Sequence, residues 1–110
     1  MVTEDDKNFL NQFQTYQQQL QAILIQKENL RLQTLETDRA LEELNASKEK
    51  EAYKIAGPIM IKKGLEELKK DLNERKDNFD LRIKTLERAE ERITNKLKEM
   101  EPRIKKMIEG

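Results

Sequence analysis

Apolar residues recur along the first half of the chain at alternating steps of three and four positions. Residues at this spacing line one side of a helix and form the contact seam of a coiled coil. The apolar members are Phe9, Phe13, Tyr16, Leu20, Ile23, Leu30, Leu41 and Leu44, and the polar residues Lys27, Thr34 and Thr37 fall at seam positions. The pattern predicts a first helix over about residues 4–50. The polar members either fix the pairing register or are tolerated imperfections in a long helix.

The second half of the chain repeats the pattern in one seven-residue register. Its apolar members are Leu65, Leu72, Phe79, Ile83, Leu86, Ile93, Leu97, Met100, Ile104 and Met107, and its polar members are Lys69, Lys76 and Glu90. A second helix is predicted over about residues 65–108, with a kink or a frayed end near Met100 because of Pro102. On its exposed face, Glu99 precedes Arg103 by four residues, the favoured order for an ion pair within a helix. Two seams of nearly equal length predict an antiparallel coiled coil.

The sequence AYKIAGPIMIKK, residues 52–63, interrupts the two charged helices. A helical hairpin needs only about two to five residues at its bend, and these are normally polar. Here Gly57 and Pro58 stand between β-branched residues, a pattern that predicts a β-hairpin over about residues 53–63. A single two-stranded hairpin is marginal in water. The segment therefore predicts an assembly module that pairs with hairpins of other chains, and the alternative is an apolar linker.

Composition restricts both the fold and the chemistry. The 110 residues are 35% hydrophobic and 40% charged, which favours a single domain of long helices over residues 1–110 rather than a compact core. The chain has no cysteine or histidine and no glycine-rich phosphate loop. The carboxylates Glu42 and Glu43 are typical of a solvated helix surface rather than a catalytic pair. We therefore expect no enzyme activity, no cofactor and no metal site.

Charge and hydropathy also narrow the range of partners. The formal net charge is zero, so no global field attracts nucleic acid or an anionic membrane surface. The N-terminal sequence MVTEDDKNF has no apolar signal core, and no apolar run approaches the ~20 residues needed to span a bilayer. We expect a soluble, cytoplasmic protein that binds neither nucleic acid nor membrane.

Residues 8–26, NFLNQFQTYQQQLQAILIQ, contain no charged side chain in a chain that is otherwise rich in charge. The predicted antiparallel pairing brings this stretch close to the apolar residues near the end of the second helix. Methionine and isoleucine at exposed helix ends indicate an adaptable surface for apolar ligands. The alternative is a solvated glutamine-rich face beside ordinary seam residues.

Several of these segments together resemble the β-type subunit of prefoldin, a chaperone of archaea and eukaryotes. They are TYQQQLQAILIQK, ALEEL, the YKIAG hairpin and LEELKKDLNERKDNFDLRIKTLERAEERITNKLKEME. The most specific of them is the Tyr-Lys-x-x-Gly hairpin between two equal helices. The β type is indicated because only one short hairpin separates the helices.

The resemblance implies a hetero-hexamer of two α-type and four β-type subunits whose hairpins form an intersubunit β-barrel. The platform residues would be Tyr53, Ile55, Gly57, Ile59 and Ile61. Non-native polypeptide would be held at the coiled-coil tips without ATP and delivered to a group II chaperonin, with client contacts at Phe9, Leu10, Phe13, Ile104, Met107 and Ile108. Pro58 departs from the residue expected after the hairpin glycine and leaves the turn and register open.

An elongated coiled-coil scaffold without client binding is the alternative function. The heptads alone are equally consistent with it. Strand-forming residues at the bend distinguish the two hypotheses, because a scaffold does not need them and a barrel platform does.

Overall fold

The computed structural model describes residues 2–109, which form two long helices joined by one β-hairpin. The elements follow the order α1 (Glu4–Ala46), β1 (Glu51–Ala56), β2 (Ile59–Gly64) and α2 (Leu65–Glu109). The two strands form one antiparallel sheet. This architecture confirms the predicted fold class for the single chain. The intersubunit barrel stays a prediction.

The chain divides into two compact units, and each helix contributes a segment to both. The terminal unit comprises the described residues up to Glu28 and from Lys84 onward, and Ile23, Ile93 and Met100 are its buried apolar residues. The hairpin unit comprises Asn29–Ile83 and buries Leu30, Leu65 and Leu68.

The two predicted seams are confirmed position by position. Every residue assigned to either seam is buried or half-buried, including the polar ones, while the intervening positions are mostly exposed. Leu68, which the pattern did not assign to the seam, is also buried. Apart from Leu68, burial follows the heptad spacing rather than the hydrophobicity of individual residues, since Lys27 is buried and Leu24 and Leu32 are exposed.

Helix α1 begins with a reciprocal capping arrangement. The backbone amide of Asp6 donates to the Thr3 hydroxyl at 3.0 Å, and the backbone amide of Thr3 donates to the Asp6 carboxylate at 3.2 Å. These bonds satisfy two amides at or next to the helix start, as in a capping box. The three acidic residues of the first turn add a favourable interaction with the helix dipole.

Helix α1 ends at Ala46, four residues before its predicted end, and the hairpin extends from Glu51 to Gly64 rather than over about residues 53–63. The backbone amide of Glu49 donates to the Ser47 hydroxyl at 3.1 Å, so a local side-chain turn replaces the helical pattern. The amide of Leu65 then donates to the carbonyl of Lys50 at 2.9 Å, just beyond the strand pair.

The hairpin turns tightly at Gly57 and Pro58, between the cross-strand partners Ala56 and Ile59. Gly57 has φ of +60°, as required at the first central position of a type II′ turn. The ring of Pro58 restricts φ to about −65°, close to the value needed at the second position. Pro58 is therefore compatible with a two-residue turn, and the register that the sequence left open runs from Glu51 opposite Gly64 to Ala56 opposite Ile59.

We expected either a kink or a frayed end near Met100. Helix α2 continues through Pro102 to Glu109, so the frayed end is wrong and the kink stays a prediction. Proline removes the amide that would bond to the carbonyl of Lys98. Both Lys98 and Pro102 are exposed, so water can hydrogen-bond to that carbonyl. Met100 is nevertheless buried.

Candidate functional site

The hairpin exposes five large apolar side chains. Their exposed fractions range from 41% to 73%, and they are Tyr53, Ile55, Ile59, Met60 and Ile61. Each strand of a two-stranded sheet also has one edge whose backbone groups have no partner strand. Exposed apolar residues beside open strand edges form a surface suited to pairing with further strands.

The register distributes these residues over both faces of the hairpin. Ile55 lies opposite Met60, and since cross-strand partners share a face, Tyr53, Ile55 and Met60 are on one side. Ile59 and Ile61 are on the other. The predicted platform residues therefore lie on two faces, and Met60, which was not among them, shares a face with Ile55.

An apolar groove of about 390 Å³ lies within the hairpin unit, where β1 adjoins both helices. Leu44 of α1, Tyr53 and Ile55 of β1, and Leu68 and Leu72 of α2 contribute to its lining. The groove extends the apolar surface of the hairpin onto the adjoining helices. Two of the predicted platform residues thus also border a concave surface.

Ion pairs lie across the hairpin strands and at the junction with α2. Lys62 pairs with Glu51 across the strands at 2.7 Å, and Lys63 reaches Asp71 of α2 at 3.3 Å. Lys63 and its cross-strand partner Ala52 are half-buried, so this face is turned partly toward the rest of the hairpin unit.

The six predicted tip residues all lie in the terminal unit, but they differ in exposure. Ile108 is 80% exposed, whereas the other five are half-buried. The half-buried members are Phe9, Leu10, Phe13, Ile104 and Met107. Ile108 is therefore the tip residue most available to a ligand. Leu24 and Ile25, which lie off the seam in the uncharged stretch, are also exposed.

Arg103 joins the end of α2 to the start of α1 within the terminal unit. Its guanidinium lies 3.0 Å from a carboxylate oxygen of Asp5 and 3.3 Å from one of Asp6, and it covers the Phe9 ring at 4.2 Å from the centroid. The predicted partner in its own helix was Glu99, so the interhelical contact was missed. It confirms that the start of α1 and the end of α2 lie together.

The polar residues of the first seam all have hydrogen-bond partners. In the terminal unit, the Lys27 ammonium donates to the Glu90 carboxylate at 2.5 Å. In the hairpin unit, Thr34 and Thr37 donate their hydroxyls to carbonyls one helical turn earlier, at 2.9 and 2.8 Å. No buried side-chain polar atom among residues 2–109 lacks a hydrogen-bond partner.

An interhelical ion pair joins Lys76 to Asp38 in the hairpin unit at 2.6 Å. The hydrogen bond and the negative charge of Asp38 raise the pKa of the Lys76 ammonium above its usual 10.5. Each unit thus contains one lysine of a predicted seam that pairs with an acidic residue of the facing helix.

Two negative findings concern the described part of the chain. Across residues 2–109, neither helix has an apolar stretch sufficient to cross a bilayer. Within the same range, no cluster of three or more acidic, histidine or cysteine residues is arranged to hold a metal ion.

Comparisons with known proteins agree on one family. The prefoldin subunit family matches residues 7–110. Prefoldin subunit beta of Archaeoglobus fulgidus is 35% identical over 103 residues, which are 93% of this chain and 89% of the relative. The corresponding subunit of Methanothrix thermoacetophila is 34% identical over 103 residues, with 93% and 86% coverage.

A solved structure leads to the same conclusion. The crystal structure of the prefoldin beta subunit from Thermococcus strain KS-1 is similar with a TM-score of 0.82 and 29% identity, covering 97% of this chain and 95% of that one. The chain belongs to the prefoldin family and is a β-type subunit. It is therefore a subunit of a chaperone and assembles with other prefoldin subunits.

Proposed function

We propose that this subunit assembles with an α-type partner as a complex of two α-type and four β-type chains. In this complex it holds non-native polypeptides at its helix ends and delivers them to a group II chaperonin without ATP. The proposal includes a cytoplasmic location, a single prefoldin-like domain over residues 1–110 and the absence of catalysis. The observation that carries it is the exposed apolar hairpin.

The hairpin supports assembly because it is poorly stabilised within its own chain. Tyr53, Ile55 and Met60 remain exposed on one face and Ile59 and Ile61 on the other. A two-stranded sheet with both edges open gains stability when further strands pair with it. Burial of apolar surface contributes roughly 25 cal/mol per Å², so covering these five side chains would strongly favour association.

The helix ends support weak binding of apolar segments. Ile108 is exposed, and Met107 provides a flexible side chain that adapts to different neighbours. One such end offers little contact area, but several ends in one complex can engage one extended client together. Linked weak contacts increase overall affinity while each contact still releases readily. This combination suits a protein that must hold many sequences and then transfer them.

The assembly step is tested with a variant of one hairpin face. Replacing Ile55 and Met60 by serine should prevent formation of the six-chain complex, measured by size-exclusion chromatography with light scattering. Leu32→Ser is the matched control, because Leu32 is an exposed apolar residue on α1 away from the hairpin. A double variant that assembles as well as the control would contradict the platform role.

The holding step is tested on the assembled complex with aggregation of a chemically denatured protein. Ile108→Ser should weaken suppression of aggregation, and adding Phe9→Ser, Phe13→Ser and Met107→Ser should weaken it further. The control is again Leu32→Ser. Because three of these residues are half-buried in the seam, helix content must be shown to be unchanged by circular dichroism. Full suppression by an intact tip-variant complex would favour a scaffold without client binding.

A further inference from the structure

Arg103 occupies a small site formed by three residues of the first turns of α1. Its guanidinium lies 3.0 Å from Asp5 and 3.3 Å from Asp6, and its central carbon lies 4.2 Å from the centroid of the Phe9 ring. Asp5 and Asp6 precede Phe9 by four and three residues, so all three side chains share one side of the helix. The two carboxylates therefore hold the cation where it covers one face of the ring.

The arrangement depends on the chemistry of arginine. Its guanidinium is planar, stays charged, binds carboxylates through several N–H groups and stacks on aromatic faces. Asp6 is itself held by the capping bonds to Thr3, and these bonds, with help from Arg103, lower the pKa of its carboxyl below the usual 3.8. Asp6 is thus a fixed, ionised anchor for the guanidinium at neutral pH.

We propose that Arg103 is a positioning residue for polypeptide binding at the helix ends, because it covers one face of Phe9. An apolar side chain of a client meets the uncovered part of the ring, or must displace the guanidinium to reach the rest. This inference rests on the proposed function, in which Phe9 contacts the client. Arg103 therefore lowers the affinity of the helix ends for the client, and we call this effect the restraint.

The restraint is sensitive to salt. The Asp5 side chain is 86% exposed and the Arg103 side chain is 43% exposed, so mobile ions reach both charges. Raising the salt concentration from about 50 mM to about 500 mM shortens the screening length from roughly 14 Å to roughly 4 Å and weakens the hold of the carboxylates on the guanidinium. Client affinity should therefore increase with salt more steeply when Arg103 is present than when it is absent.

The test uses the assembled complex and a fluorescently labelled, uncharged apolar peptide, with affinity measured by anisotropy. Arg103→Ala should bind the peptide about two- to fivefold more tightly than the native subunit, the factor expected from losing one cation–ring contact at an exposed site. Its affinity should also depend less on salt. Arg92→Ala is the matched control, because Arg92 is an exposed arginine on α2 in the same unit.

Two further variants separate this role from a general effect on the helix end. Asp5→Asn removes one anchor but leaves the Thr3–Asp6 capping bonds in place, so it should give a smaller gain of the same sign. In a Phe9→Ala background, Arg103→Ala should give no gain, because the covered ring is absent.

The outcomes distinguish this inference from the function on which it rests. If the native complex does not bind the peptide, both are overturned. If it binds but Arg103→Ala matches Arg92→Ala or binds more weakly, the inference alone is wrong. An equal gain from Arg103→Ala with and without Phe9 would also contradict it, since the arginine would then act independently of the ring.

Discussion

Replacing Lys27 by methionine should destabilise the chain far more than the same change at an exposed lysine. Lys27 is 7% exposed, and its ammonium pairs with Glu90, whose side chain keeps 29% exposure. Removing one partner of a fully buried ion pair costs about 3–5 kcal/mol, because the other charge stays buried. Water reaches part of Glu90, so we expect a loss of about 1–3 kcal/mol.

The assay is urea unfolding followed by helical circular dichroism at one fixed chain concentration, because association alters apparent stability. With an m-value of about 2 kcal/mol per molar urea, a loss of about 2 kcal/mol lowers the midpoint by about 1 M. The matched control is Lys98→Met, since Lys98 is exposed on α2. Exchanging the charges, with Lys27→Glu and Glu90→Lys together, should recover most of the loss.

A third variant distinguishes the cost of breaking the Lys27–Glu90 pair from the net contribution of the intact pair to stability. Replacing both Lys27 and Glu90 by leucine should leave stability within about 1 kcal/mol of the native value or increase it, because two apolar residues need no desolvation of charge. The ion pair then contributes mainly to register, since a slip of one heptad would place Lys27 against Leu97. If Lys27→Met unfolds at the same midpoint as Lys98→Met, the reasoning from burial is refuted.

Three further predictions concern the hairpin and the two ends of the pH range. Gly57→Ala should weaken assembly by roughly 1–2 kcal/mol, because Gly57 has φ of +60° and this backbone conformation is strained in alanine. An added Cβ would meet no other atom within 4 Å, so the loss comes from backbone strain alone. Native mass spectrometry of the mixed subunits would detect the loss, and an unchanged complex would contradict it. The pKa of Lys76 is raised by Asp38, so the contribution of this pair to folding stability is complete below pH 10.5 and is lost as pH rises through the higher folded value. Asp38→Asn should abolish this loss of stability at alkaline pH. Parallel profiles of stability against pH for the native chain and the variant would argue against it. The Asp6 pKa is lowered, so its capping contribution is present above pH 3.8 and is lost as pH falls through the lower folded value. Asp6→Asn removes the titrating carboxyl and should therefore remove this acid dependence of amide protection in the first turn, measured by hydrogen exchange. An unaltered dependence would refute the role of the cap.

The helical seams could be predicted from the sequence because their signal is repeated many times. A single polar residue such as Lys27 does not hide a register that Ile23 and Leu30 define on either side. The structure accordingly leaves every assigned position buried or half-buried. The end of α1 was harder to predict, because no repeated pattern marks it, and a local hydrogen bond from the Glu49 amide to the Ser47 hydroxyl follows the last helical residue.

The pairings between helices could not be predicted in the same way. The sequence identified Lys27 and Glu90 as polar seam members, but which residues face each other depends on the length and turn of the connecting hairpin. Arg103 has an acidic residue at a favourable distance in its own helix, yet it binds α1 because that helix presents two carboxylates and an aromatic ring together. These contacts depend on which residues the fold brings together, and the spacing of residues within one helix does not reveal that.

The candidate hairpin surface could be predicted only in part from the sequence, because its register depends on the turn. The exposed apolar character of Tyr53, Ile55, Ile59 and Ile61 follows from their number in a short segment, which cannot bury them within its own chain. Their distribution over two faces follows from the turn at Gly57, and the sequence left that turn open. Met60 belongs to the same face as Ile55 only because of the register that this turn sets.

The proposed assembly is tested most directly by native mass spectrometry of the purified chain, alone and then mixed with an α-type prefoldin subunit from the same source. We expect the mixture to contain a discrete complex of two α-type chains and four copies of this chain. If this chain stays a monomer or a simple dimer under both conditions, the hairpin is only a connection between helices and the proposed assembly is wrong.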